Sequence, residues 1–132
     1  MTATALAAVP ITAMYAGVLG LLAVFLANQV LYARLRTGSV PQWKPDTVLR
    51  VQANFVENVP LALALLLILE LQQTPPQILH ALGAGLVFCR VAHAWGMSRN
   101  PGANYPRLIG AQGTFLLVSI MSVAAIYSGF TH

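Results

Sequence analysis

The sequence predicts an all-α integral membrane protein, built as a four-helix bundle with antiparallel, up-down topology. Composition is the first observation behind this prediction. Of the 132 residues, 58% are hydrophobic and only 8% are charged, whereas a soluble domain carries about 25% charged residues. The mean hydropathy is +0.72. So few charged side chains cannot cover a water-soluble protein of this length, and lipid must therefore contact much of the chain.

Four long apolar segments are the second observation. A membrane-spanning helix needs about 20 mostly apolar residues. Four segments meet this requirement, and they predict helices over residues 11–36, 47–71, 76–97 and 107–127. No repeat and no change of composition divides the chain, so residues 1–132 are predicted to form one domain.

Turn-forming residues separate the predicted helices. Residues 37–39, with Pro41 and Pro45, cannot continue a helix and so form the first connection, and Asp46 stands where an N-cap would begin helix 2. The second connection, residues 72–75, is so short that helices 2 and 3 must be antiparallel. The segment 100–104, rich in Asn, Pro and Gly, separates helices 3 and 4.

Basic residues predict the orientation in the membrane. They flank the first connection (Arg34, Arg36, Lys44, Arg50) and the third (Arg99, Arg107), while the second connection has no Lys or Arg. Because basic residues concentrate in cytoplasmic loops, the first and third connections are predicted to be cytoplasmic and both termini to lie outside.

Helices 2 and 3 each carry polar residues inside an apolar span, where a charge costs about 3 kcal/mol. Arg50, Asn54 and Glu57 have a spacing of i, i+4 and i+7, which places them on one face of helix 2. Arg90 and His93 share a face of helix 3. Since Arg90 and Glu57 lie at similar depth, an ion pair between them is expected.

Other polar residues have simpler interpretations. His93 suits proton transfer or a hydrogen-bonded helix interface equally well. No second His lies at ligand spacing on the same face and the sequence has no Glu-x-x-His motif, so no metal site is predicted. Cys89 is the only cysteine, and it is expected to pack as a small apolar residue. Glu70, at the other end of helix 2, is expected to be solvated.

These residues together predict a cytoplasm-facing pocket rich in arginine, with one carboxylate and several amides. Such a pocket suits a small, polar, mainly anionic ligand. An arginine beside a thiol would also stabilise the thiolate, which is the reactive form.

The pattern Arg50-x-x-x-Asn54-x-x-Glu57-x-x-Pro60 resembles the MAPEG family, the membrane-associated proteins of eicosanoid and glutathione metabolism, and in particular its small bacterial inner-membrane branch. Further matches are the helix 3 pair and single arginines near the ends of helices 1 and 4, namely Arg90, His93, Arg34 and Arg107. The resemblance covers nearly the whole chain in length, helix count and topology.

The resemblance implies a homotrimer that holds glutathione, as a co-substrate, between neighbouring subunits on the cytoplasmic side. It implies a set of glutathione-binding residues, namely Arg50, Gln52, Asn54, Glu57, Arg90 and His93. Arg107 or Arg34 would activate the thiol. A small lipophilic substrate would enter from the lipid bilayer along helices 1 and 4. No partner among nucleic acids is implied.

The chain departs from this family at two positions, where Met97 and Asn58 stand in place of tyrosines found in several members. Each replacement removes a glutathione contact. The leading hypothesis is a membrane glutathione transferase or peroxidase acting on a lipophilic electrophile. One alternative is a small membrane transporter with Glu57 as the coupling carboxylate, although comparable exchangers carry that carboxylate in helix 1. Another is a non-enzymatic scaffold with the same fold.

Overall fold

A computed structural model describes residues 8–35, 44–99 and 105–131, without the side chains of 33–34, 44–46 and 97–99. These residues form four helices: α1 (Pro10–Leu35), α2 (Lys44–Leu71), α3 (Pro76–Arg99) and α4 (Tyr105–Thr131). All four are long and apolar enough to cross a membrane. The prediction of an all-α, four-helix membrane bundle is therefore confirmed.

The second helix begins earlier than the sequence predicts. It starts at Lys44, so Asp46 lies inside the first turn and the prediction of an N-cap at this residue is wrong. The prediction that Pro45 breaks the helix is wrong as well: it lies in the first turn of α2, which does not use the N–H that proline lacks. The predicted break at residues 37–39 and 41, the break at 100–104, and Arg36 lie outside the described residues.

The central helices are α2 and α3. Each contacts the other three helices, whereas the described parts of α1 and α4 do not contact each other. Apolar residues from all four helices fill the core, namely Leu19, Leu26, Val51, Phe55, Val59, Ala62, Leu66, Leu69, Leu79, Leu82, Leu86 and Met121. Both outer helices therefore pack on the central pair and turn their remaining apolar side chains outward, as lipid contact requires.

Side chains join the helices at one end of the bundle, which we call the closed end. It consists of the start of α1, the hairpin between α2 and α3, and the end of α4. Glu70 is half-buried there, so the expectation that it is solvated is wrong. Its carboxylate accepts hydrogen bonds from the backbone N–H groups of Ile11 (3.0 Å) and Thr12 (2.7 Å) at the start of α1. Val9 occupies the N-cap position, because its carbonyl accepts the first hydrogen bond of α1. Its side chain has no oxygen that could accept from these N–H groups, so Glu70 takes that role.

Two further contacts complete the closed end. The Tyr15 hydroxyl lies 3.0 Å from His80 Nδ1, which joins α1 to α3, and the two rings meet edge to face. The hairpin itself is a Schellman motif: Gln73 N–H donates to Glu70 C=O and Thr74 N–H to Leu69 C=O. Gln73 has a φ of 64°, so a residue with a side chain occupies a position that favours glycine.

Candidate functional site

A polar pocket of about 280 Å³ opens near the other end of the bundle, where α2 and α4 begin and α3 ends. Three helices line this polar pocket, which is made of Arg50, Ala53, Asn54, Glu57, His93 and Arg107. Five of these six are residues that the sequence singles out. The helical spacing on α2 explains part of the arrangement, because residues three and four apart share a face. Packing of α3 and α4 against α2 supplies His93 and Arg107.

Arg90 does not line the pocket but lies directly behind it. Its side chain is only 2% exposed. One guanidinium nitrogen, Nη2, donates to Asn54 Oδ1 and lies 3.5 Å from His93 Nδ1. The other, Nη1, donates to the Thr114 hydroxyl over 3.1 Å. The guanidinium therefore joins α2, α3 and α4 at the back of the polar pocket.

The expected ion pair between Glu57 and Arg90 is wrong. Within the described residues, Arg90 contacts the neutral acceptors of Asn54, Thr114 and His93, and Glu57 is exposed at the pocket wall. Similar depth is not sufficient for pairing, because the two side chains point to different places. Asn54, one turn before Glu57, faces Arg90 instead. The carboxylate of Glu57 is thus left facing the open volume of the pocket.

The contact with Arg90 fixes the orientation of the Asn54 amide. A guanidinium group only donates hydrogen bonds, so the atom of Asn54 that faces it must be the oxygen. The Asn54 NH₂ group is then the part that a ligand can meet. Nδ1 of a neutral His93 is the acceptor toward Arg90 by the same argument, so its proton is on Nε2. The pocket therefore offers N–H donors from Arg50, Arg107, Asn54 and His93, and one carboxylate.

Two predicted site residues are not brought to this pocket. Gln52 is half-buried on another face of α2 and does not line the polar pocket. The backbone of Arg34 lies in α1, but its side chain lies outside the described residues, as does that of Met97. Asn58 turns its side-chain amide back to the Asn54 carbonyl of its own helix (2.7 Å). It therefore does not replace the missing tyrosine hydroxyl.

Sequence analysis missed Thr114, which is fully buried on α4 and accepts a hydrogen bond from Arg90. It also missed the close approach of α4 to α3 at Gly110, one turn before Thr114. A Cβ added at Gly110 would lie only 2.5 Å from both the Cys89 carbonyl oxygen and the His93 nitrogen. The sequence does not distinguish Thr114 and Gly110 from the other Gly, Ser and Thr residues of this apolar helix, because their contacts depend on how α4 packs on α3. Cys89 is buried, as predicted.

A second cavity lies on another side of α2. It has a volume of about 320 Å³ and is mainly apolar, with walls from α1, α2 and α3 made of Leu22, Phe25, Leu26, Gln29, Thr47, Val48, Val51, Val91, Ala94 and Trp95. Val51 lines this apolar cavity, while its neighbour Arg50 lines the polar pocket. Helix α2 therefore separates a space suited to apolar groups from one suited to charged groups.

Comparison with known protein families decides the relationship. The sequence model of the MAPEG family matches residues 12–127, which include α2 and α3, nearly all of α1 and most of α4, and every residue of the polar pocket. This chain belongs to the MAPEG family. Searches of curated proteins and of solved structures give no match.

Membership of MAPEG gives the polar pocket a chemical context. The family includes glutathione transferases and glutathione peroxidases, and its members use glutathione. MAPEG proteins are generally trimeric. The residues that carry the resemblance on α2, Arg50, Asn54 and Glu57, all line one pocket in this MAPEG protein. Their individual roles stay predictions.

Proposed function

We propose that this protein is a membrane-bound glutathione transferase or peroxidase that binds glutathione in the polar pocket and acts on a lipophilic electrophile. The observation that carries the proposal is the composition of the pocket wall. Two guanidinium groups, from Arg50 and Arg107, and one carboxylate, from Glu57, line the same volume of about 280 Å³. A purely anionic ligand would have no use for Glu57, and a cationic one would be repelled by the arginines.

Glutathione fits this set of charges. It carries two carboxylates and one ammonium group, so the arginines have two anionic partners and Glu57 has one cationic partner. Its peptide carbonyls are acceptors for the Asn54 NH₂ group. Arginine is also the side chain best suited to bind a carboxylate through paired hydrogen bonds. Ion pairs of this kind strengthen where lipid and protein exclude water.

Bound glutathione would supply a thiol that acts as nucleophile or reductant. Arg107 is the residue of the described pocket to which we assign the stabilisation of the thiolate, because it lines the pocket from the start of α4, whereas Arg50, Asn54 and Glu57 line it from α2. A guanidinium keeps its positive charge at all physiological pH values. Arg107 can therefore favour the anionic sulfur without giving up a proton, and Arg34 remains the second predicted candidate.

The proposal includes a homotrimer with the site between subunits. The described parts of α1 and α4 do not contact each other within one subunit, so a substrate route bounded by both helices requires α1 of one subunit and α4 of a neighbour. Gln52 points away from the polar pocket of its own subunit, and it can serve a glutathione site only across such a boundary. The first and third connections are proposed to face the cytoplasm, with the protein in a bacterial inner membrane.

Calorimetric titration of glutathione into the detergent-solubilised protein tests the proposal. We expect saturable binding that the Arg50→Ala variant weakens by on the order of a hundredfold, because it removes a charged donor to a carboxylate. Gln77→Ala, which removes an exposed polar side chain at the closed end, is the control and should bind as the unmodified protein does. Absence of binding at millimolar glutathione would remove the transferase and peroxidase readings, and flux assays in liposomes would then test the transporter.

Turnover assays separate the two activities. An aryl halide reports conjugation, and an organic hydroperoxide reports peroxide reduction. Arg107→Ala should lower kcat with either substrate more than it lowers glutathione affinity, because its charge acts on the thiolate. A loss of glutathione affinity with unchanged kcat would assign Arg107 to binding alone and transfer the activating role to Arg34.

A further inference from the structure

A buried arginine behind the polar pocket requires an explanation. Arg90 is 2% exposed and lies within an apolar span, yet its described hydrogen-bond partners are neutral, and its Nε has no partner among the described residues. A charge held in this way destabilises the fold. Its position indicates what the charge does, because it connects Thr114 of α4 to Asn54 on the wall of the pocket.

Thr114 is built to accept a hydrogen bond from Arg90. The residue is 0% exposed, and its hydroxyl donates to the Gly110 carbonyl over 2.7 Å. A hydroxyl has one proton and two lone pairs, so after this donation only acceptor capacity remains for the guanidinium. The close packing of Gly110 on the Cys89 and His93 backbone fixes the height of this turn of α4 against α3.

We propose that Thr114 is a positioning residue for the polar pocket, acting through Arg90 on the Asn54 amide. Thr114 holds Nη1 of Arg90, and Nη2 of the same rigid planar group then holds Asn54 Oδ1. This arrangement turns the Asn54 NH₂ group toward the ligand. The ligand atom opposite Asn54 is therefore an acceptor, a carboxylate or a peptide carbonyl. The identity of that ligand rests on the proposed function, but the positioning itself does not.

A measurement without ligand tests the positioning. The side-chain amide of Asn54 gives a pair of ¹⁵N–¹H signals, which are identified by their loss in Asn54→Asp. We expect Thr114→Val, which keeps the shape of the side chain and removes the acceptor, to shift these signals, and Thr114→Ser to leave them in place. Thr12→Val is the matched control, because it makes the same change at a threonine that is buried at the closed end, away from the polar pocket. Unshifted Asn54 signals in Thr114→Val would overturn the proposal.

Binding measurements test the consequence for the pocket. Thr114→Val should weaken glutathione binding by on the order of tenfold, with recovery in Thr114→Ser. When Asn54 is already alanine, the same change should alter affinity by less than about twofold, because the route through Asn54 no longer exists. An equal loss in both backgrounds would overturn that route. If the unmodified protein binds no glutathione, the proposed function fails, and the Asn54 signals alone decide the role of Thr114.

Discussion

The two ends of the bundle use the same kinds of side chain in opposite ways. Helix α2 carries Glu57 near its midpoint, on the wall of the polar pocket, and Glu70 at the closed end. Helix α3 likewise carries His93 at the pocket and His80 at the closed end. At the closed end, Glu70 is occupied by backbone N–H groups of α1, and His80 meets the Tyr15 hydroxyl. At the polar pocket, Glu57 and His93 line an open volume.

The comparison shows that the presence of a polar residue within a membrane span does not decide whether it stabilises the fold or serves a ligand site. Both glutamates would be costly in lipid, and each has a reason to be there. The carboxylate of Glu70 replaces the missing N-cap of α1, which stabilises the fold. The carboxylate of Glu57 has no hydrogen bond to any described residue and is left for a ligand. Substitutions at the two ends should therefore affect different quantities.

The largest effect is expected from Arg90→Met, which exchanges the buried guanidinium for an apolar side chain. Glutathione affinity should fall by on the order of a hundredfold, because Asn54 loses the group that orients it. The free energy of unfolding should change by less than about 1 kcal/mol, since buried charges are often replaced by well-packed apolar groups without loss of stability. Calorimetry and thermal unfolding in one detergent measure both quantities. A strongly lowered Tm would show that Arg90 supports the fold rather than the pocket.

A smaller and opposite effect is expected from Glu70→Ala at the closed end. The start of α1 loses the acceptor for two backbone N–H groups, and stability should fall by about 1 to 2 kcal/mol, whereas glutathione affinity should not change. Glu57→Ala is the matched variant on the same helix, and it should weaken binding while leaving Tm nearly unaltered. If both glutamates changed the same quantity, the distinction between the two ends would be lost.

The positions of the helices can be predicted from the sequence because they depend on local hydrophobicity and turn residues. All four spans were predicted, and the main error, at Asp46, arose because Pro45 tolerates the first turn of α2. The shared face of Arg50, Asn54 and Glu57 followed from helical periodicity alone. Such features need no knowledge of which helices are neighbours in space.

The hydrogen-bond partners of each polar side chain cannot be predicted from the sequence, because they depend on how the helices pack. Depth along the span suggested that Arg90 would pair with Glu57, but rotation of α3 against α2 directs it to Asn54. Thr114 gave no sequence signal, since its role depends on the contact between α3 and α4. Glu70 was expected to be solvated because its acceptor role requires the start of α1, far away in sequence.

The smallest effect is expected at the hairpin of the closed end, where Gln73 adopts a φ of 64°. A residue with a Cβ pays about 1 kcal/mol for this left-handed conformation, which glycine adopts freely. Gln73→Gly should therefore raise the stability by somewhat less than about 1 kcal/mol, because glycine also gains freedom in the unfolded chain. Thermal unfolding measures the change, and Gln77→Gly, in the first turn of α3, should lower Tm instead because glycine has the weaker helix propensity. Glutathione affinity should be the same in both variants, because the closed end maintains the fold and takes no part in the pocket; a changed affinity would mean that the two ends are coupled.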